Sequence, residues 1–365
     1  MNSLKVLHVA DIDLNSENDG IHMVIKRLAD DKDSSEKISV FLLRKSEKVN
    51  KVPSFLYYFN EDRHSFLKVL ESSVWDLIVF HTCFNKYLYG LYKQALKRKT
   101  PYIITSHGCF MKNVYTKNIL KKHLYKAFFI DNFVRNSKGI VFHQENERKN
   151  SYYNNKKYVI IPNVVDSHNS FDYNLNNKQL RFVSISRIDL FYKKIDLFVE
   201  ALEIAKKDFK KINFIYEIYG TGSKKDITRL EQIIASSSFR DNIFFQGAIY
   251  KESKIDKLSK TDIFIQMSSS EGMSVSISEA LSCATPCFAS NMVNLEDDFS
   301  FFNCGWIVEL EKNKIAEGFL RAINCYLNNR SMYRKNAREC AEHYFKIGSN
   351  FGKFSLRKYE KLLKN

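Results

Sequence analysis

Two carboxylates eight residues apart, Glu271 and Glu279, stand in the run Ser268-Ser-Ser-Glu271-Gly272-Met273-Ser274-Val-Ser-Ile-Ser-Glu279-Ala-Leu281. Glu271 follows a strand-like run ending near Met267, which places it at a carboxyl strand end. Gly272, Met273 and Ser274 then open an apolar-periodic helix. Free backbone N–H groups and the helix dipole make such a turn a receptor for anions or hydroxyls. Gly272 lets a ligand approach the backbone closely. Glu279 lies about one turn into the helix, where a carboxylate can accept hydrogen bonds from a ribose diol. An unpaired Glu buried in so apolar a helix would be costly. The plainer reading makes Glu271 a cap and Glu279 a surface residue.

A second constellation lies upstream. Ser184-Ile-Ser-Arg187-Ile-Asp-Leu-Phe-Tyr-Lys193 leaves a strand and enters a helix, with Arg187 and Lys193 bracketing the loop. A planar guanidinium and a point-charge ammonium at one strand end suit a diphosphate. In a chain with 57 Lys and Arg, a solvated basic pair is the competing reading. Further on, Ile218-Tyr-Gly220-Thr-Gly222 closes another strand with a Gly-x-Gly turn, a pattern that marks any tight strand-to-helix turn.

These groups need a frame, and the pattern supplies one. Short β-branched apolar runs alternate with helical periodicity, which predicts parallel sheets wrapped by helices. First-half strands are expected at 4–10, 38–43, 76–81, 102–105, 139–142 and 158–161, with helices at 21–30, 85–97 and 118–136. The polar stretch from Asp166 to Lys178 reads as a linker. The second half repeats the rhythm, with strands at 181–186, 213–219, 243–246, 262–267, 285–289 and 306–308. Its helices are expected at 194–207, 224–236, 251–259, 275–283, 313–327 and 331–344. Two α/β domains joined near residue 170 follow. Ligands of open α/β sheets bind at carboxyl strand ends, so the cleft between two such domains is the expected site.

Composition narrows the class. The chain has 365 residues, 44% of them hydrophobic, enough for two sizeable cores and not a disordered chain. No apolar run approaches the roughly 18–20 residues of a membrane span, and the first residues lack a signal-peptide pattern. The seven cysteines form no Cys-x-x-Cys pair, which fits reduced cytosolic thiols. Net charge is +16, and residues 84–157 concentrate it: 16 Lys and Arg against 3 Asp and Glu. Aromatic residues interleave with these charges. The patch reads either as a solvated face or as a surface for anionic lipid headgroups, at about 1 kcal/mol per basic residue. No nucleic-acid-binding motif accompanies the charge, so no nucleic-acid partner is expected.

The order Ser186-Arg187-Ile-Asp189…Lys193, then Tyr219-Gly220-x-Gly222, then Glu271-Gly-Met-Ser-x4-Glu279-Ala-Leu-x-Cys283-x-x-Pro286 resembles the C-terminal half of glycosyltransferase family 4. The resemblance is strong over residues 180–345 and weak before them. It implies a retaining GT-B enzyme: two Rossmann-like, doubly wound domains facing a central cleft. It implies an N-terminal acceptor domain at 1–168, a nucleotide-sugar donor domain at 169–345, and a C-terminal helix in 346–365 packing back on the first domain. By the same resemblance Glu271 contacts the donor sugar, helped by the backbone N–H groups of Met273 and Ser274. Gly220, Gly222 and Gly272 shape the donor pocket, Glu279 holds the ribose hydroxyls, and Arg187 and Lys193 neutralise the leaving diphosphate. His107, in Thr-Ser-His107-Gly108, matches a histidine facing the donor sugar. Gly20 and His22, in Asn-Asp-Gly20-Ile-His22, fall at an acceptor loop. Pro162-Asn163 resembles the family's interdomain segment.

The chain departs from the family pattern at two places. Lys194 stands where the family usually has Gly, and Gly272-Met273 replaces Phe-Gly. The expected partners are a nucleotide sugar, a lipid-linked oligosaccharide acceptor and an anionic inner-membrane surface, for a cytoplasmic or peripheral enzyme of surface polysaccharide synthesis. No metal cofactor is expected. Asp11-Ile-Asp13 is a rival Asp-x-Asp metal signal of another transferase class. A GT-B epimerase or phosphorylase and an inactive membrane-binding scaffold are the alternative functions.

Overall fold

The computed structural model describes residues 4–12, 20–30, 37–43, 57–59, 64–85, 87–163, 165, 178–348 and 350–364. Most of the expected linker, 166–177, lies outside the described residues, as does Asp13. The chain divides into two compact units: Met1–Asn163 together with Ser349–Asn365, and Val164–Gly348.

Unit 1 holds a seven-stranded parallel sheet: β1 (Val6–Ala10), β2 (Ile38–Leu42), β3 (Tyr57–Phe59), β4 (Leu77–His81), β5 (Tyr102–Thr105), β6 (Ile140–Phe142) and β7 (Tyr158–Ile160), in the order β3-β2-β1-β4-β5-β6-β7. The near-continuous apolar runs of β1, β2 and β4 fit strands buried on both faces, and every residue of these strands is buried. Phe41, Phe66, Phe80, Tyr102 and Phe133 form the aromatic centre of the core. The Phe80 ring meets Tyr102 edge-on at 5.5 Å, a geometry worth about 0.5–1.5 kcal/mol beyond area burial.

The C-terminal helix Phe351–Leu363 belongs to this unit. It packs on β7 and on the helix Gly20–Asp30, burying Phe351, Leu356, Tyr359 and Leu362. A Cβ at Gly139 would sit 2.8 Å from Leu362 Cδ2, so the glycine admits the helix end.

Unit 2 holds a six-stranded parallel sheet: β8 (Leu180–Ile185), β9 (Phe214–Tyr219), β10 (Ile243–Gly247), β11 (Ile263–Gln266), β12 (Cys287–Ser290) and β13 (Gly305–Val308), in the order β10-β9-β8-β11-β12-β13. Phe319, on the helix Lys312–Asn328, packs at 4.9–5.0 Å on Phe182, Phe198 and Phe288 and joins that helix to the sheet. Both sheets reverse strand order once, between β1 and β4 and between β8 and β11. Such switch points open a crevice at the carboxyl strand ends.

The structure departs from the pattern in a few places. β3 was not expected, nor were the helices Ser65–Ser72, Glu145–Lys149 and Glu296–Phe302. The single helix expected at 194–207 is two pieces, Ile195–Ile204 and Lys206–Phe209, parted at Ala205, and a short helix, Leu190–Lys193, precedes them. Lys194 separates Leu190–Lys193 from Ile195–Ile204 by adopting φ 49°, ψ 34°, the left-handed conformation, which cannot continue a right-handed helix. The expected helix 118–136 runs from Ile119 to Asn136 and contains a π-helical turn at Lys126–Ile130.

Candidate functional site

In unit 2 the carboxyl ends of β8, β11 and β12 converge. The Glu271 carboxylate is the meeting point. Its Oε1 pairs with the Lys193 ammonium and accepts from Gln266 Nε2 at 2.9 Å and Ser268 Oγ at 2.6 Å. Both members of the ion pair are largely shielded, with side chains 19% and 15% exposed for Lys193 and Glu271. The Glu271 backbone is held as well. Its N–H donates to Met292 O at 3.2 Å, and its carbonyl accepts from Asn294 Nδ2.

Gln266 ties this carboxylate to the helix that follows. Its Oε1 accepts from Ser274 Oγ at 2.8 Å, and Ser274 Oγ in turn accepts from Ile277 N–H at 3.3 Å as the N-cap of Val275–Ser282. A Ser at this position satisfies one of the free N–H groups of the first turn. Met273, 5% exposed, and Gly272 are buried beside it. The loop bearing Lys193 is held against the same place. Ser269 N–H donates to Tyr192 O at 2.7 Å, and Ser184, Ser186, Lys193 and Gln266 border a small cavity beside the ion pair.

Glu279 is buried at 7% exposure, and its Oε2 lies 2.5 Å from Lys254 Nζ. The pair comes from the facing helices Lys251–Ser259 and Val275–Ser282. Arg187 pairs with a different carboxylate from Lys193. Its guanidinium is 65% exposed and pairs with Asp189 at 3.1 Å, while Asp189 caps Leu190–Lys193 by accepting from Tyr192 N–H.

Gly220 and Gly222 do their visible work against the neighbouring loop. A Cβ on Gly220 would fall 1.8 Å from Ser186 O, and one on Gly222 would fall 2.2 Å from Ile188 O. Ile188 N–H donates to Thr221 O at 2.8 Å, so the β8 and β9 ends are zipped together here. Only glycine permits that approach.

In unit 1, His107 lies just past β5 at φ 44°, a conformation a non-glycine residue adopts only when its surroundings impose it. Both ring nitrogens are engaged: Nε2 with His81 Nδ1 at 2.8 Å and Nδ1 with His143 Nε2 at 3.0 Å. The fully buried Glu147 carboxylate fixes the loop by accepting from Ser106 Oγ, from Gly108 N–H at 2.7 Å and from His143 N–H at 2.6 Å. Burial, and then the charge of neighbouring imidazoles, holds His81 and His107 well below the usual histidine range. His22 is buried on Gly20–Asp30, a helix that starts at Gly20. Asp11 accepts from Asn85 Nδ2 at 2.8 Å. Among the described residues no three His, Cys, Asp or Glu side chains converge as metal ligands.

The pattern did not single out Gln266, Ser268, Asn294, Lys254 or Glu147. A polar Gln ending the apolar run Ile263-Phe-Ile was a signal for the first of these. Ser268 lies three residues before Glu271 in the run already quoted, whereas Asn294, Lys254 and Glu147 depend on loops and helices remote in sequence.

Residues 165–340 match the family model described as "Glycosyl transferases group 1". No curated protein matches the chain by sequence. Among solved structures, Anabaena HepE in complex with UDP and glucose is 12% identical, with a TM-score of 0.70 over 99% of this chain and 100% of that one. Sucrose-phosphate synthase from Thermosynechococcus elongatus is 14% identical, with a TM-score of 0.73 over 98% and 99%. WaaG, a glycosyltransferase involved in lipopolysaccharide biosynthesis, is 13% identical, with a TM-score of 0.66 over 92% and 95%. At these identities the likeness is one of fold, and that fold is GT-B, built of two Rossmann-like domains.

Proposed function

Because residues 165–340 match the family model of group 1 glycosyltransferases, we propose that this chain is a retaining enzyme moving a sugar from a nucleotide-sugar donor to a lipid-linked glycan at a membrane surface. The observation that carries the reading is the Lys193–Glu271 pair at the mouth of the β8–β11 switch point, braced by Gln266 and the Ser274 cap. A cation and a carboxylate side by side suit the two ends of the bond that breaks. The ammonium receives charge building on the departing phosphate, and the carboxylate holds sugar hydroxyls as the ring gains positive character. Arg187, tethered to Asp189 and exposed, supplies the second cation, so no metal ion is needed to neutralise the diphosphate. Glu279 takes the ribose diol, with Lys254 paired to its buried carboxylate until the diol arrives. Gly220 and Gly222 keep the donor side of the β8 loop in place, and His107 belongs to the sugar side in unit 1. Gly20 and His22 stand at the acceptor side.

The membrane part of the reading rests on a helix face. Leu120, Leu124 and Phe128 recur every four residues and are 75%, 49% and 66% exposed. Lys117, Lys121 and Lys122 flank them. An apolar stripe rimmed by lysines suits the interface of an anionic bilayer. No described helix is long and apolar enough to cross one. HepE in complex with UDP and glucose supports a nucleotide-sugar donor by analogy, and WaaG supports a glycan acceptor.

The test is transfer from a panel of nucleotide sugars. Glu271→Ala and Lys193→Ala abolish it while circular dichroism stays native. Undiminished turnover in both variants rejects the assignment. Flotation with phosphatidylglycerol vesicles tests the surface, and Leu120→Glu/Phe128→Glu releases the protein.

A further inference from the structure

Four histidines of unit 1 form one unbroken hydrogen-bonded chain. His8 Nδ1 meets His81 Nε2 at 2.9 Å, His81 Nδ1 meets His107 Nε2 at 2.8 Å, and His107 Nδ1 meets His143 Nε2 at 3.0 Å. His143 Nδ1 then meets Ile161 O at 2.8 Å. The rings sit on β1 and β4 and just past the ends of β5 and β6, strands that are consecutive in the sheet. Register explains how they meet. His8 pairs with Val79, two residues before His81; His81 pairs with Thr105, two before His107; Thr105 pairs with Val141, two before His143. Because side chains alternate with a period of two, all four rings fall on one face of the sheet.

The polarity of the chain follows from its last link. A carbonyl only accepts, so His143 Nδ1 carries hydrogen, and the Nε2 of a neutral His143 accepts. Each ring then dictates the next: His107, His81 and His8 all carry hydrogen on Nδ1 and accept on Nε2. At the far end His8 Nε2 is a buried acceptor with no hydrogen-bond partner among the described residues, as this polarity requires. The chain cannot conduct a proton through, because Ile161 O cannot take one. It is a lock.

The lock has a consequence at His107. With both ring nitrogens taken, its imidazole has no polar atom left for a ligand. Its backbone N–H and C=O, by contrast, make no hydrogen bond among the described residues. They lie in a left-handed turn that Glu147 clamps on either side. We propose that His8, His81 and His143 are positioning residues that hold the His107 imidazole in a single tautomer, so that this loop offers a ligand its backbone and not its ring. The functional half of this inference rests on the transferase reading; the lock does not.

Histidine-selective ¹⁵N spectra and steady-state kinetics test it together. In the wild type all four rings show the Nδ1–H tautomer. His143→Leu removes the link that sets the direction of the chain and gives His107 and His81 mixed tautomers. It also lowers kcat at least ten-fold, with the donor KM within three-fold. His143→Gln places an amide oxygen acceptor near the Nε2 position and restores both the single tautomer and kcat to within three-fold. An Nε2–H signal for His107 in the wild type overturns the lock. A wild-type kcat in a natively folded His143→Leu protein overturns the positioning role. If the wild type turns over no nucleotide sugar, the transferase reading fails and the spectra alone decide the lock.

Discussion

Lys193 and Glu271, 78 positions apart, share one oxygen: the ammonium sits on the same Oε1 that Gln266 and Ser268 already address. The cation proposed to receive a diphosphate is therefore neutralised while it waits. Replacing Glu271 by Gln frees that charge. Glu271→Gln binds a nucleoside diphosphate several-fold more tightly than the wild type, by calorimetry, yet transfers sugar at least 100-fold more slowly. Weaker diphosphate binding in this variant means the ammonium does not face the phosphate. Lys193→Met leaves the shielded carboxylate unpaired and destabilises the fold by about 2–4 kcal/mol in urea melts, and adding Glu271→Gln recovers part of the loss.

Gly220 tests whether the Gly-x-Gly turn is structural. A methyl group there collides with Ser186 O, a backbone atom that can yield only by opening the β8–β9 zipper. Gly220→Ala costs about 2–4 kcal/mol in chemical denaturation. It also weakens nucleotide affinity, because the Arg187 loop moves with Ser186. A variant as stable as the wild type contradicts the packing described.

Lys194 is the reverse case. It holds φ 49° where the family pattern has glycine, and its ammonium lies 5.1 Å from the Phe191 ring. Relief of the left-handed strain is worth about 1–2 kcal/mol, against roughly 0.5–1 kcal/mol for the lost cation–π contact and some unfolded-chain entropy. Lys194→Gly is thus neutral to slightly stabilising, by about 0–1 kcal/mol. A melting temperature several degrees lower shows that this side chain has another role.

Acid should weaken unit 1 in a defined window. Burial lowers His8 to about 3 and holds His81 and His107 well below the ordinary value. His8 faces His81 and Tyr359, and His107 faces His81 and His143. In the unfolded chain these rings bind protons near pH 6.5; in the folded chain they do not. The unfolded state therefore binds more protons between those limits, and stability rises with pH there, by up to ~1.4 kcal/mol per unit for each ring. Above about pH 7 these rings add no pH dependence. Urea midpoints flat from pH 8 to 7 and falling steeply below 6.5 bear this out. In His8→Leu the slope near pH 5 is shallower by up to one proton.

Much of this architecture was readable before any coordinates. Runs such as Ile38-Ser-Val-Phe-Leu and Ile263-Phe-Ile are apolar throughout because their strands are covered on both faces, and that signal is local. Three-residue β3 carries too little pattern to separate from a turn. Glu271, Lys193 and Ser274 were legible as a group because each sits at a strand end or helix start marked by its neighbours. Lys254 was not, since two helices must pack before it meets Glu279. The histidine ladder was least legible of all. Of its four members only His107 is marked in the sequence, by its likeness to a family histidine, and only strand order and register, which no single segment encodes, bring His8 next to His81.

Unit 2 is one uninterrupted stretch of chain, whereas unit 1 is closed by residues after Ser349. A ribosome therefore finishes the second core before the first. Until the last helix is released, the hydrophobic seat for Phe351, Leu356 and Tyr359 stays open, and so does the space beside His8. Nascent chains stalled short of residue 350 would present that seat to chaperones, although most of the sheet behind it had been translated long before.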